Sequence, residues 1–262
     1  MNDIGINIIK RRPVRDQVSP EEWALRVDLA ACYRLVAKYG MTDMIYNHIT
    51  ARVPGTDVHL LLNPYGYHYS EITASCLYKI DLDGNVVLQP ETDYGISVAG
   101  YVIHSAIHGA RHDVGCVIHT HTRAGMAVSA MECGLLPLTQ TSMRFWNRVS
   151  YHDFWGPAID EAEKASLIDD LGRTDAMIMR NHGLLTCGRT VAECFNMMYW
   201  LELACQSQVD AMSSGAKLIL PPEEIRERTA HLYDPGVRGI KGELEWPAML
   251  RLLDREDPSY RD

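Results

Sequence analysis

Residues 114–122 (VGCVIHTHT) place two histidines, two positions apart, at the end of an apolar run. The run predicts a buried strand, and residues 123–131 after it predict a helix. Because neighbouring side chains on a strand point to opposite faces, His119 and His121 face the same way. Two imidazoles on one face form half of a metal site for zinc, iron, manganese or copper. The alternative is that both are hydrogen-bonded polar residues near the rim of a sheet.

A third histidine follows a second apolar run, in residues 175–188 (DAMIMRNHGLLTCG). His182 is predicted to lie at the end of one strand and to be followed by Gly183, where backbone can approach a ligand closely. Three histidine ligands with an open fourth position are typical of a catalytic metal site rather than a structural one. No pair of closely spaced cysteines competes for this role. The sequence therefore predicts a metal site formed by His119, His121 and His182.

The composition is that of an ordinary globular protein, with 47% hydrophobic and 23% charged residues among 262. A net charge of −9 without a visible basic patch argues against a nucleic-acid partner. No segment reaches about 18 uninterrupted apolar residues, so no membrane-spanning segment is predicted. Residues 1–15 are basic but lack the apolar core of a signal peptide, and the seven cysteines are scattered. These features predict a cytoplasmic protein with reduced cysteines.

The clearest helix signal begins at Ser19, which is a good N-cap. Pro20 fits the first helical position, and Glu22 completes a capping box with Ser19. Gly40 is the predicted stop of this helix. Short strands are predicted over 46–53, 58–62 and 77–88, the last with a hairpin turn at Asp83-Gly84. Further helices are predicted over 96–112, 160–171 and 190–214. Helices and short strands alternate irregularly, which favours a mixed or antiparallel sheet covered by helices.

The same segments resemble the class II aldolase/adducin family. The matching pieces are a helix ending at Tyr39-Gly40, 47–52 (NHITAR), 63–66 (NPYG), 104–108 (HSAIH), 111–121 (RHDVGCVIHTH) and 180–188 (RNHGLLTCG). They span about residues 20–215 in the family's order. The resemblance implies an α/β/α three-layer sandwich with a central mixed, mainly antiparallel sheet. We expect one domain over 1–262, with 1–18 as an extended arm and 216–262 as a C-terminal extension.

The resemblance also implies a cofactor and an assembly. In the sugar-phosphate aldolases of this family the three matching histidines bind zinc, which stabilises an enediolate formed on C–C cleavage. Carried over, this makes His119, His121 and His182 ligands of a divalent ion, zinc first, with manganese or iron as alternatives. Family members are typically tetramers with active sites at subunit interfaces, so a homo-oligomer, with the tetramer as its typical form, is expected.

Two departures from those aldolases bear on the substrate. Their acidic proton-transfer residue lies four positions before the residue matched by His104, where this chain has Gly100. Their compact phosphate-binding groups are replaced by the larger side chains of His48 and Tyr65. Nothing else in the sequence predicts a phosphate-binding loop. The chain is therefore more similar to the adducin-like branch, which includes non-catalytic domains, decarboxylases and some non-haem iron oxygenases.

These observations lead to one main hypothesis and two alternatives. The main one is a metal-dependent lyase, decarboxylase or aldolase in type, that cleaves a small, non-phosphorylated, carboxylate-bearing substrate, aromatic acids included. In it His104, one helical turn beyond Gly100, returns a proton, while His48 and Tyr65 bind substrate. A core or supporting role is the alternative for His104. The other functions are an iron oxygenase on the same scaffold and a non-catalytic adducin-like module.

Overall fold

A single sheet of eight strands runs through the computed structural model, which describes residues 12–156, 161–239 and 241–262. The strands are β1 (His48–Arg52), β2 (His59–Leu62), β3 (Tyr78–Asp81), β4 (Val86–Leu88), β5 (Cys116–Thr120), β6 (Ser150–His152), β7 (Ala176–Met179) and β8 (Gly183–Gly188). Their order across the sheet is β4-β3-β2-β1-β5-β8-β7-β6. Each neighbouring pair is antiparallel except β6 and β7, which are parallel. The predicted mixed, mainly antiparallel sheet is confirmed.

Helices cover both faces of the sheet. They are α1 (Pro20–Lys38), α2 (Val98–Ala110), α3 (Arg123–Ser129), α4 (Gln140–Met143), α5 (Glu161–Leu171), α6 (Val191–Ser213), α7 (Glu223–His231), α8 (Pro235–Arg238) and α9 (Glu245–Glu256), with 3-10 helices at Val14–Gln17, Tyr69–Glu71 and Pro258–Arg261. One buried cluster joins one sheet face to α1, α3, α6 and α9. A second cluster joins the opposite face to α2 and α5. This confirms the three-layer α/β/α architecture.

The start of α1 is capped as the sequence predicts, but Glu22 has a different role. The Ser19 hydroxyl accepts a hydrogen bond from the Glu22 backbone N–H at 3.1 Å. The Glu22 carboxylate forms ion pairs with Arg26 at 3.0 Å and with Lys79 at 2.7 Å. A buried guanidinium is costly without a counter-charge, so this carboxylate is drawn to Arg26 rather than back to the N-cap.

The C-terminal segment packs against α1, and the described part of the N-terminal arm contacts α1 through Arg15 and Trp23. Residues 1–11 of the predicted arm lie outside the described part, and Val14–Gln17 form a 3-10 helix with Val14 buried, so this part of the arm is not extended. In the predicted extension, the Trp246 indole donates to the Asp28 carboxylate of α1 at 2.9 Å. Tyr260 is fully buried and donates to Asp254 at 2.8 Å. The C-terminal segment thus covers one side of α1.

No helix in the described ranges combines the length and the apolar character that crossing a bilayer requires.

The register of the central strands brings distant residues into one row. His48 of β1 lies opposite His119 of β5, and His119 lies opposite Leu185 of β8. Side chains in such a row point to the same face of the sheet. This is the face covered by α2, because Leu185 belongs to the cluster that joins the sheet to α2 and α5. The sheet therefore directs His48 and His119 toward the helix that carries His104.

Candidate functional site

Three imidazoles meet where β5 ends and the β7–β8 hairpin turns. One nitrogen from each of His119, His121 and His182 lies within 4.8 Å of the other two. The ring centroids are 4.7, 4.8 and 4.8 Å apart, and the Nε2 atoms of His119 and His121 are separated by 2.9 Å. Two nitrogens bound to one tetrahedral zinc lie roughly 3.3 Å apart. Small ring rotations would therefore bring all three into a shared coordination sphere.

The hydrogen bonds of the remaining ring nitrogens show how the cluster fits a cation. His119 Nδ1 is 2.9 Å from the Leu184 carbonyl oxygen, and His121 Nδ1 is 3.1 Å from the Asp43 carboxylate. Both oxygens only accept, so both Nδ1 atoms donate, and either ring in its neutral form has a bare Nε2. Two lone pairs facing each other at 2.9 Å are stabilised by a proton or a metal ion between them. This donor arrangement is that of metal-binding histidines with supporting oxygens behind them.

The hairpin between β7 and β8 positions His182. Asn181 has a positive φ of 54°, a conformation that asparagine adopts more readily than most residues. A Cβ at Gly183 would lie 2.3 Å from the Thr120 carbonyl oxygen. A small residue is therefore needed at position 183, as predicted. The reason differs from the prediction, because Gly183 lies against the backbone of β5 and not against a bound ligand.

Burial keeps the rings of His119 and His182 in the neutral form that binds cations. Desolvation, followed by the proximity of the other histidines, holds the pKa of His119 well below its usual value. Desolvation, followed by the proximity of His121, lowers the pKa of His182 to about 4. Neutral imidazoles need not release a proton before they bind a metal near pH 7.

A cavity of about 560 Å³ opens beside the histidine cluster and contains every site residue predicted from the sequence. Its described lining is Tyr46, Asn47, His48, Tyr65, Ser97, Ile103, His104, His119, His121, Met126, Phe154, Gly156, Asn181 and His182. Apolar and aromatic side chains such as Ile103, Met126 and Phe154 contribute to the wall, together with the histidines and the amides of Asn47 and Asn181. This composition is typical of a small-molecule site.

The predicted substrate-binding and catalytic residues lie at different depths of this cavity. His48 and His104 are buried, with ring centroids 6.3 Å apart, whereas Tyr65 is partly exposed near the Tyr46 ring. Desolvation lowers the pKa of His48 to about 4 and that of His104 well below the usual value. Gly100 lies one turn before His104 in α2.

Sequence reasoning missed two supporting residues. Asp43 lies in the loop before β1 and holds His121. Thr50 of β1 is fully buried, and its hydroxyl oxygen lies 2.8 Å from His104 Nδ1 and 2.9 Å from His108 Nε2. An alternation argument on β1 could have placed Thr50 on the same face as His48. Asp43 had no such signal, since its contact depends on a loop crossing the end of β5.

The fully buried His108 predicts a measurable acid sensitivity. Desolvation and the nearby Arg52 charge lower the pKa of His108 to about 3, so the unfolded chain binds more protons between pH 3 and 6.5. Stability therefore falls as the pH decreases through this window, by about 2 kcal/mol from this residue at pH 5. A His108→Gln variant should show a shallower decline in the free energy of unfolding between pH 7 and 5, measured by urea denaturation. His112→Gln, at an exposed position, is the matched control; equal slopes in all three proteins would contradict the prediction.

Comparison with known proteins identifies the family. The profile of the Class II Aldolase and Adducin N-terminal domain matches residues 27–209. A Pseudomonas aeruginosa protein named after the class 2 aldolases is 50% identical over 251 residues, which cover 95% of this chain and 96% of that protein. The chain belongs to the class II aldolase and adducin family.

Solved structures in the class II aldolase and adducin family share this fold. An aldolase II superfamily protein from Pseudomonas syringae is 49% identical with a TM-score of 0.89, and the match covers 95% of this chain and 99% of that one. An L-fuculose 1-phosphate aldolase from Glaciozyma antarctica is 27% identical with a TM-score of 0.81, over 92% and 93% of the two chains. Rat alpha-adducin is 40% identical over 245 residues, which are 89% of this chain but only 33% of alpha-adducin. The relatives of this chain thus include proteins named as aldolases and proteins named as adducins.

Proposed function

We propose that this protein is a metal-dependent carbon–carbon lyase, of decarboxylase or aldolase type. Its substrate in this proposal is a small, non-phosphorylated molecule that carries a carboxylate, aromatic acids included. The observation that carries the proposal is the convergence of three ring nitrogens. The Nε2 atoms of His119 and His121 are 2.9 Å apart, and a nitrogen of His182 lies within 4.8 Å of the other two ligand atoms. Three imidazoles with an open fourth position are typical of a catalytic metal site, and an interaction module does not need one.

His119, His121 and His182 would hold the ion, zinc in the first instance and manganese or iron as alternatives. When bound, a divalent ion supplies Lewis acidity that stabilises negative charge on substrate oxygens as a bond to carbon breaks. The chain's own residues bind and orient the substrate. His48 and Tyr65 would position it from the β1 side of the cavity, while Phe154 and Met126 exclude water and contact its apolar part.

The wall of the cavity supports a substrate without a phosphate group. Phosphate recognition relies on arginine, lysine or a cluster of backbone N–H groups. No arginine or lysine is among the described residues that line the cavity. The Glaciozyma antarctica relative is named for a phosphorylated sugar. We therefore propose that this chain shares the metal site of such aldolases but binds a different, non-phosphorylated substrate.

The position of Gly100 favours decarboxylation over aldol cleavage. A retro-aldol step needs a base to remove a hydroxyl proton, whereas loss of CO₂ needs none at that stage. The family's acid is absent at Gly100, and the nearest polar side chain along α2 on that face is His104. His104 is the proposed catalytic side chain, since it is buried at the cavity wall with its Nε2 free of any described protein partner.

Replacing His104 should slow turnover without removing the metal. A His104→Ala variant is expected to lose about 100-fold or more in kcat, the usual weight of a group acting on the reacting atoms. Its zinc content should match that of the wild type, because His104 is not one of the three clustered ligands. Steady-state kinetics with metal analysis on the same samples would check both parts. Full turnover by this variant would exclude a catalytic role for His104.

Measurements of metal content, metal dependence and oxygen uptake together test the lyase proposal. Protein purified without added metal should contain about one divalent ion per chain, and chelation should abolish CO₂ or aldehyde release from a panel of carboxylic acids. Turnover that survives complete metal removal would refute the proposal. Oxygen uptake on aromatic hydroxy acids by an iron-loaded sample would instead favour the oxygenase alternative, since three imidazoles also suit iron.

The adducin relatives favour a second candidate, a non-catalytic module. Rat alpha-adducin shares 40% identity over nearly the whole of this chain. This candidate predicts that the purified protein contains no bound metal and turns over none of the acids in the panel. A cytoplasmic homo-oligomer, a tetramer in the first instance, is part of the main proposal, and sedimentation analysis of the purified chain would test the oligomer.

A further inference from the structure

A chain of four side chains connects β1 to α2 behind the cavity wall. Arg52 Nη2 lies 3.4 Å from His108 Nδ1, and His108 Nε2 lies 2.9 Å from the Thr50 hydroxyl oxygen. The same hydroxyl lies 2.8 Å from His104 Nδ1. All but Arg52 are buried, so these hydrogen bonds are sheltered from water.

The direction of the hydrogen bonds follows from Arg52, because a guanidinium only donates. His108 Nδ1 therefore accepts, and the single hydrogen of the neutral His108 ring is on Nε2. That hydrogen is donated to the Thr50 oxygen, whose own hydrogen is then donated to His104 Nδ1. The hydrogen of the neutral His104 ring is left on Nε2.

The hydrogen on His104 Nε2 is available to a ligand in the cavity. This nitrogen is buried, has no hydrogen-bond partner among the described residues, and belongs to a ring that lines the cavity. A buried N–H without a partner is unfavourable, and an oxygen of a bound ligand would accept its hydrogen bond.

We propose that Arg52, His108 and Thr50 lock His104 in the Nε2–H tautomer, making it a fixed hydrogen-bond donor to an anionic substrate oxygen. The identity of the ligand in this proposal rests on the proposed lyase function. The ligand is the carboxylate of the substrate or the enolate formed from that substrate. The proposal also assigns His104 a role that differs from the proton return expected from the sequence. A neutral ring with its hydrogen on Nε2 stabilises charge on oxygen, and it offers no lone pair to the cavity for binding a metal or removing a proton.

The tautomer can be read directly by NMR of the full chain labelled with ¹⁵N-histidine, without metal. Two-bond ¹H–¹⁵N correlations identify which ring nitrogen carries the hydrogen, and a His104→Gln variant assigns the signal. We expect the hydrogen of His104 on Nε2. A hydrogen on Nδ1 would overturn the proposal, whether or not the protein proves to be a lyase.

Two substitutions at Thr50 test the lock itself. Thr50→Val keeps the shape but removes the hydroxyl, and it should turn the His104 signal into a mixture of tautomers. It should also weaken oxalate binding to the zinc-loaded protein by about 2- to 10-fold, the weight of one hydrogen bond, with zinc affinity unchanged. Thr50→Ser should restore both the single tautomer and the oxalate affinity.

The outcomes separate this inference from the proposed function. A single Nε2–H tautomer in Thr50→Val, or wild-type oxalate affinity in that variant, would refute the lock. Failure of the wild-type chain to bind zinc would refute the metal-dependent lyase, while the tautomer measured without metal would still decide the inference.

Discussion

A His182→Ala variant is expected to lose zinc affinity by roughly 100-fold or more, since loss of a supporting residue alone costs 10- to 100-fold. His182 supplies the third nitrogen of the cluster, and the other two come from residues only two positions apart. Without His182 the remaining pair can hold an ion from one side only. Competition with a zinc-binding dye would measure the change in affinity directly.

Stability provides an independent readout of the same prediction. A ligand that binds only the folded state adds about 2.7 kcal/mol at a free concentration 100 times its Kd. Wild-type protein should therefore melt at a higher temperature with zinc, and the His182→Ala variant should lose that increase. The exposed His112→Ala is the matched control and should respond as the wild type does. Equal zinc-dependent shifts in all three proteins would mean that the cluster is not the metal site.

A Gly183→Ala variant is expected to lose about 1–3 kcal/mol of stability, the usual cost of overpacking. The added Cβ would lie 2.3 Å from the Thr120 carbonyl oxygen and 3.2 Å from His121 Cδ2. Both contacts are rigid, because the first is backbone of a central strand and the second is a ring in the cluster. Relief requires β8 to move away from β5, which would also displace His121 and weaken zinc binding.

Gly109→Ala is the matched control for this substitution. Gly109 lies in α2, and a Cβ there meets nothing within 4 Å. Alanine in a helix is more stable than glycine by up to about 1 kcal/mol, so the control should change stability in the opposite direction. Thermal denaturation of the two variants would check both signs. A Gly183→Ala protein as stable as Gly109→Ala would show that β8 does not pack as closely as described.

Local features of the sequence were enough to predict most elements of the fold. Ser19 and Pro20 marked the start of α1, and Asp83-Gly84 marked the turn between β3 and β4, because caps and turns depend on neighbouring residues. The role of Glu22 could not be predicted in this way. Its partner Lys79 lies 57 positions away and approaches only when β3 packs beside α1.

Some residues of the candidate site could also be predicted from local sequence, whereas others required the tertiary structure. His119 and His121 could be paired from the period of a strand, and His182 from its place before a glycine. Asp43, by contrast, is 78 positions from His121, and nothing in its neighbours indicates the hydrogen bond between them. The buried Thr50 also required the structure, since its contacts with His104 and His108 depend on how α2 crosses β1.

By itself, the amino-acid sequence determined which side chains of this protein are available for chemistry and on which strand or turn each lies. Those properties follow from short-range periodicity and turn preferences. Only the tertiary structure decided which of them meet, how each imidazole is hydrogen-bonded and which ring nitrogen faces the cavity. Such properties arise from strand register and helix packing, which join residues that the chain keeps far apart.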